Sequence, residues 1–245
     1  MKPCSIDVAE SGPIPIEGLR DPSRGRLAAL VAAAALLGFG GARAQVAGVT
    51  GDEPVIGGPC EGCEAVFQGF PETLSSHARI APADEPGEPM RIEGTVSDAN
   101  GNPVPGIVVY AYHTDARGVY PEPEESIAYA ADRHGRLRSW AVTDEEGRYR
   151  FDTIRPASYP DSDIPAHVHM HVIEPGRSTY WIDSIEFEDD PRLTDAEREA
   201  HARGRGGSGL VDPDREADGT WVVTRDVTLG LRIPGYSEAR SRPDR

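Results

Sequence analysis

Apolar and polar positions alternate from Met90 onward. "MRIEGTVSDANGNPVPGIVVYAYHT" puts Ile92, Gly94 and Val96 on one face, breaks at Asp98 to Pro103, and resumes as the apolar run from Ile107 to Tyr112. That is strand, turn, strand. "LRSWAVTDEEGRYRFDTI" repeats the logic, with a turn at Asp144 to Gly147 and Tyr149 and Phe151 alternating after it. "AHVHMHVI", "STYWIDSIEF" and "TWVVTRDVTLGLRI" are further β-rich runs. About seven short strands with turn residues between them predict an all-β antiparallel sandwich over 90–235. One helix interrupts it: Thr194 and Glu197 form a capping box ahead of "AEREAHAR", and "GRGGSG" ends it. This polar insertion is expected on the surface.

The flanks read differently. Residues 45–89 are irregular and predict an extended N-terminal arm, with a short apolar patch from Ala65 to Phe70 able to pack on the main domain. Residues 236–245 read as a tail. In 1–44, the apolar stretch "LAALVAAAALLGF" follows Arg20, Arg24 and Arg26 and precedes "ARAQ". It is too short to span a bilayer comfortably and reads as an export signal cut after Ala44. The expectation is an exported protein, periplasmic or extracellular, with no membrane span in its mature form.

Composition changes this picture little. The chain has 245 residues, 38% hydrophobic and 27% charged, as a soluble globular protein has. Its 27 glycines and 22 prolines suit a turn-rich β fold. A net charge of −16 argues against nucleic acid as a partner. Processing at Ala44 would remove Cys4 and leave Cys60 and Cys63 in "GGPCEGCEAVF". A C-x-x-C in an exported chain is a small-loop disulfide, a redox pair or half a metal site, the disulfide being the plainest of the three. A four-cysteine zinc site is excluded by count.

The candidate chemistry lies in "PAHVHMH", residues 165–171. Alternation along a strand puts His167, His169 and His171 on one face and Val168, Met170 and Val172 on the other. Two imidazoles at this spacing reach one ion; three in line do not easily converge, so His171 is expected either behind the ligands or facing solvent. No acidic residue in the strand completes a two-histidine, one-carboxylate site. Tyr159, between prolines in "IRPASYPDSD", and Tyr120, in the turn "DARGVYP", are not obvious core residues.

"GNPVPGIVVYAYHTDARGVY", "TDEEGRYRFDTIRPASYP" and "PAHVHMHV", in this order and spacing, resemble the intradiol ring-cleavage dioxygenases, the catechol and protocatechuate enzymes with non-haem iron(III). The resemblance covers roughly 90–235, and the export signal and "CEGCE" segment suggest a secreted branch. It implies a ferric site with Tyr120, Tyr159, His167 and His169 as ligands, and His171 outside the ligand set. It implies a small catechol-type substrate and O2, with ring cleavage between the two hydroxylated carbons. By position, Tyr159 would be the tyrosinate that leaves the metal and takes a substrate proton. Two phenolates and two imidazoles make a hard, electron-rich donor set suited to iron(III).

One position departs from the pattern. The family usually has arginine two residues before the alanine of P-A-H, and here Ile164 stands there. Arg133, Arg136, Arg138 and Arg155 are the candidates to replace it. Two other readings compete. Residues 92–151 also resemble the prealbumin-like, carboxypeptidase-regulatory-like modules of secreted proteins, which would make this a non-catalytic binding module. Alternatively, His167, His169 and His171 would bind copper or zinc. Nothing in the sequence sets the oligomeric state, and a homo-oligomer is compatible with it.

Overall fold

The alternation after Met90 is realised in β4 (Pro89–Ser97), where Met90, Ile92, Gly94 and Val96 are buried and the residues between them are not. The computed structural model describes residues 43–44, 49, 51, 53–60, 62–126 and 128–237. Residues 1–42 of the expected export signal and 238–245 of the expected tail lie outside these described residues.

The elements before β4 are β1 (Arg43–Ala44), β2 (Leu74–Ser75) and β3 (His77–Arg79). After it come β5 (Val108–His113), α1 (Tyr129–Arg133), β6 (Arg138–Val142), β7 (Arg148–Ile154), β8 (His167–Glu174) and β9 (Ser178–Phe187). The chain continues through α2 (Asp195–His201), β10 (Leu210–Val211), β11 (Asp214–Arg215), β12 (Trp221–Thr224) and β13 (Val227–Thr228). They form an all-β sandwich. One sheet has the order β10-β9-β8-β5-β6, and the other β11-β12-β4-β7-β3 with β13 paired to β4.

The core lies between the sheets. Ile92 and Val96 of β4 and Tyr149 and Phe151 of β7 meet Val109 and Ala111 of β5 and Val168, Met170 and Val172 of β8. Burial of this apolar surface is the main stabilising contribution. Tyr149 also donates its hydroxyl to the Arg225 carbonyl at 2.5 Å. Tyr149→Ala therefore removes a large buried ring and leaves that carbonyl unpaired. It is expected to cost about 3–5 kcal/mol. Denaturant unfolding should show a lower midpoint at unchanged slope.

The helix at 195–201 carries the expected capping box, with the Thr194 side chain accepting from Glu197 N and Glu197 reaching back to Thr194. The arm over 45–89 corrects the expectation of an irregular extension. Its β3 joins the six-stranded sheet in parallel with β7, and Val55 bridges Thr179. Cys63–Phe67 forms a 3-10 helix. Val66 and Leu74 pack on Val108, Tyr110, Trp140 and Ile173, with Phe67 and Phe70 beside them. Trp140 Nε1 donates to Val66 O at 2.8 Å. The five-stranded sheet is thus covered on both faces, which is why every residue of β5 is buried. The residues that bear on chemistry stand on the face under the arm.

Candidate active site

β5, β8 and β9 turn one row of side chains to the arm side of their sheet. Their register sets Tyr112 opposite His169, and Tyr110, His171 and Trp181 side by side. A register shift between Val168 and Met170 breaks the β8–β9 ladder beside His169.

Two loops bring the tyrosines to this row. Tyr120 follows a turn in which Asp115 N donates to Val119 O at 2.8 Å and Asp115 Oδ1 accepts from Arg117 N and Val119 N. Tyr159 sits in a loop tied to the first by Ala157 N to Asp115 O at 3.1 Å and by Thr114 Oγ1 to Ala157 O at 2.7 Å. The loops touch at Gly118, whose φ is +78°. A Cβ there would collide with the Ser158 carbonyl oxygen. Behind Tyr120, Gly135 (φ +68°) would place a Cβ 3.2 Å from the Tyr120 Cβ.

Four donor atoms converge. The Tyr120 and Tyr159 hydroxyls lie 2.7 Å apart, Tyr159 Oη lies 3.1 Å from His167 Nε2, and His167 Nε2 lies 3.1 Å from His169 Nε2. His167 Nδ1 faces Pro165 O at 2.8 Å, and a carbonyl accepts only, so Nδ1 carries the proton and Nε2 a lone pair. His169 Nδ1 is 3.4 Å from Ser184 Oγ. His167 Nε2 thus turns a lone pair to the point where the other donors meet. Donors at right angles about an ion with bonds of about 2 Å lie about 2.8 Å apart, close to the spacing seen here. Two phenol oxygens and two imidazole nitrogens are a hard donor set. The residues fit a trivalent or hard divalent cation.

Burial tunes these groups. It holds the His169 imidazole neutral, its pKa lowered to about 3 with His167 adding to the shift. It also pushes the Tyr120 phenol well above its usual range, with the Tyr159 hydroxyl reinforcing it. A cation would be needed to hold Tyr120 as phenolate at neutral pH.

The walls are aromatic and polar. Tyr112 is stacked between His134, at 3.7 Å between ring centres, and His169, at 4.6 Å. His134 is held by the Tyr110 hydroxyl at 2.8 Å. Beside the donors lies a cavity of about 530 Å³, whose lining includes Tyr112, Tyr120, Tyr159, His169 and Trp181 together with the charged Asp183, Glu186 and Arg133. That volume takes a single substituted ring.

His171 corrects the solvent-facing option. It is 3% exposed, and its Nε2 lies 3.6 Å from Cys60 Sγ, away from the other two histidines. Cys60 and Cys63 are joined as a disulfide. Ile164 is 49% exposed and does not border the cavity. Of the four arginines weighed from sequence, Arg133 does border it. Arg136 pairs with Glu85, and Arg155 pairs with Asp189 over the Phe187 and Trp221 rings. Arg138 holds the Ala65 and Gln68 carbonyls of the arm. Sequence reasoning missed Tyr112 and His134. Tyr112 alternates with Tyr110 on β5, so its face was legible, but its pairing with β8 was not. His134, in the polar run "DRHGR", carried no signal.

Buried neutral histidines make stability pH-dependent. Burial lowers His113 and His134 to about 4 and His169 and His171 to about 3. In the unfolded chain each titrates near 6.5. Below that pH the unfolded chain gains protons the folded one refuses. The stability is therefore intact above about pH 6.5 and is lost progressively as pH falls below it toward 3. Metal-free protein should unfold at lower denaturant at pH 5 than at pH 7. Equal midpoints would contradict this.

A family model described as Dioxygenase matches residues 67–212. The chain is 31% identical over 145 residues to the chlorocatechol 1,2-dioxygenase of Rhodococcus opacus, covering 52% of this chain and 52% of that one. It is 28% identical over 193 residues to the 6-chlorohydroxyquinol 1,2-dioxygenase of Cupriavidus pinatubonensis, covering 72% of this chain and 64% of the relative. The chain thus spans between about half and two thirds of these relatives' length. Wild-type catechol 1,2-dioxygenase of Acinetobacter radioresistens has a similar fold, with a TM-score of 0.52 at 23% identity over 78% of this chain and 66% of that one.

Proposed function

This chain belongs to the intradiol ring-cleavage dioxygenase family, and from that premise we propose that it cleaves a catechol-type ring with O2 between the two hydroxylated carbons, giving a muconate-type diacid. The observation that carries this reading is the convergence of Tyr120 Oη, Tyr159 Oη, His167 Nε2 and His169 Nε2 beside a ring-sized cavity. These four would hold iron(III). Bound there, the ion would supply Lewis acidity and accept electron density from a catecholate.

The chain's own residues do the rest. The Pro165 carbonyl fixes the His167 tautomer and ring plane, and Ser184 Oγ, 3.4 Å from His169 Nδ1, helps to orient the His169 ring. Tyr120 and Tyr159 both border the cavity, and by the family resemblance Tyr159 is the one that would take a proton from an entering catechol hydroxyl. Tyr112 backs His169 by stacking and limits where a ring can lie. Asp183 and Glu186 give the cavity lining acidic groups, which disfavours a carboxylated ring beside them, and Arg133 is a basic residue of the same lining. Arg133 thus borders the cavity where Ile164 does not.

The three-histidine copper or zinc reading is disfavoured, because His171 turns to Cys60. A plain binding module has no use for four convergent donors. The test is iron loading. Ferric phenolate protein is burgundy, and added catechol should shift the band and then be consumed with O2. Colourless iron-loaded protein would overturn the proposal. Colour without ring cleavage across a panel of neutral catechols would overturn the activity and leave the metal site.

A further inference from the structure

Two sequence features are left unused by this chemistry: the C-x-x-C pair and the third histidine of "HVHMH". The fold puts them together. Cys60 Sγ, Cys63 Sγ and a ring nitrogen of His171 all lie within 4.8 Å of one another, although His171 is 111 residues from Cys60. We propose that the reduced protein holds a zinc-type divalent ion on Cys60, Cys63 and His171, a second metal site separate from the Tyr120, Tyr159, His167 and His169 cluster.

The state of His171 points to a ligand. It is 3% exposed, and among the described residues its Nδ1 has no hydrogen-bond partner and its Nε2 has the Cys60 sulfur 3.6 Å away. A disulfide sulfur is a weak acceptor, so this buried imidazole is poorly satisfied in the oxidised form. It would be well satisfied beside a cation held by two thiolates. The spacing fits. A tetrahedral ion with bonds of about 2.3 Å to sulfur and about 2.1 Å to nitrogen sets S···N at about 3.6 Å, and Cys60 Sγ lies 3.6 Å from His171 Nε2. Cys60 and Cys63 have Cα atoms 5.6 Å apart, and Gly62 between them adopts φ +78°, so side-chain rotation parts the sulfurs once their bond is broken. Gly62 cannot be replaced cheaply, since a Cβ there would lie 2.6 Å from His134 Nε2.

The disulfide gates the site. A dithiol reductant supplies two electrons and two protons. The Cys60–Cys63 bond breaks to two thiols while the reductant closes to its own disulfide. The metal ion then displaces both thiol protons and binds two thiolates. Three protein ligands leave a fourth position for water. Cys60 and His171 both border the active-site cavity.

Cobalt(II) is the probe, because thiolate ligation gives a near-ultraviolet charge-transfer band that phenol and imidazole ligation does not. Full-length protein reduced with dithiothreitol, freed of excess reductant and titrated with cobalt(II) should develop this band to a saturating plateau, and the band should bleach when zinc is added. Oxidised protein and Cys60→Ser should show none. His171→Gln, checked for fold by circular dichroism, should bind at least roughly 10-fold more weakly. No band in folded, reduced wild-type protein would overturn the proposal. A band with unchanged affinity in His171→Gln would remove His171 from the site and overturn it equally. The ferric colour plays no part in this readout, so either reading can fail alone.

Discussion

Tyr159→Phe should leave the fold intact and slow ring cleavage by roughly 10²- to 10⁴-fold, the range lost when a positioned acid–base group is removed. The hydroxyl sits between the Tyr120 hydroxyl at 2.7 Å and His167 Nε2 at 3.1 Å, so its loss takes one donor from the cluster and leaves three. The ring remains, still packed edge-on against His167 at 5.2 Å between centres. The residual burgundy band should shift and weaken, since one phenolate remains. Catechol should still bind, because it brings its own oxygens, but its proton has lost its acceptor. The loss should therefore fall on kcat more than on KM. Turnover within twofold of wild type would show that the proton goes elsewhere. Unchanged colour would show that Tyr159 is not a ligand.

Gly118→Ala should impair the site through the backbone alone. Residue 118 has φ +78°, which an alanine adopts only with strain, and its Cβ would drive into the Ser158 carbonyl. That carbonyl belongs to the residue before Tyr159. The loops bearing Tyr120 and Tyr159 must then part. A displacement of about 1 Å at the reacting centre costs about 100-fold in rate. Iron affinity and kcat/KM should fall together, while the sandwich core, which this loop contact does not touch, keeps its cooperative unfolding. Full activity and full iron content in Gly118→Ala would mean the loops are not held by this contact. Gly101→Ala is the control. It also has positive φ, at +84°, but its Cβ meets nothing within 4 Å, so it should cost stability without cost to the site.

The alternation of β4 and β7 was legible because one face of each packs on the core between the sheets, and period two is how a half-buried strand announces itself; β8 alternates because its histidines face the site while Val168, Met170 and Val172 face the core. β5 was legible only as an apolar run. Both its faces are covered, and the second cover comes from the arm. The arm itself was misread as irregular. Its strands are two or three residues long and pair with segments 30 to 80 positions away, below what any local pattern resolves.

For the candidate site, local spacing placed His167 and His169 on one face of one strand. The resemblance to a family, rather than any periodicity, singled out Tyr120 and Tyr159 from eight tyrosines. The sequence by itself determined the sandwich class, the helix cap at Thr194 and the shared face of the histidines, because each depends on residues within a few positions of one another. Tertiary structure decided which groups meet. It brought two loops 39 residues apart to a 2.7 Å contact between hydroxyls, and turned His171 away from its neighbours toward a sulfur 111 residues distant. It also left Ile164 outside the cavity and Arg133 on its wall. Those outcomes rest on strand register and on loop backbones that only glycine permits, and neither can be read from alternation along one strand.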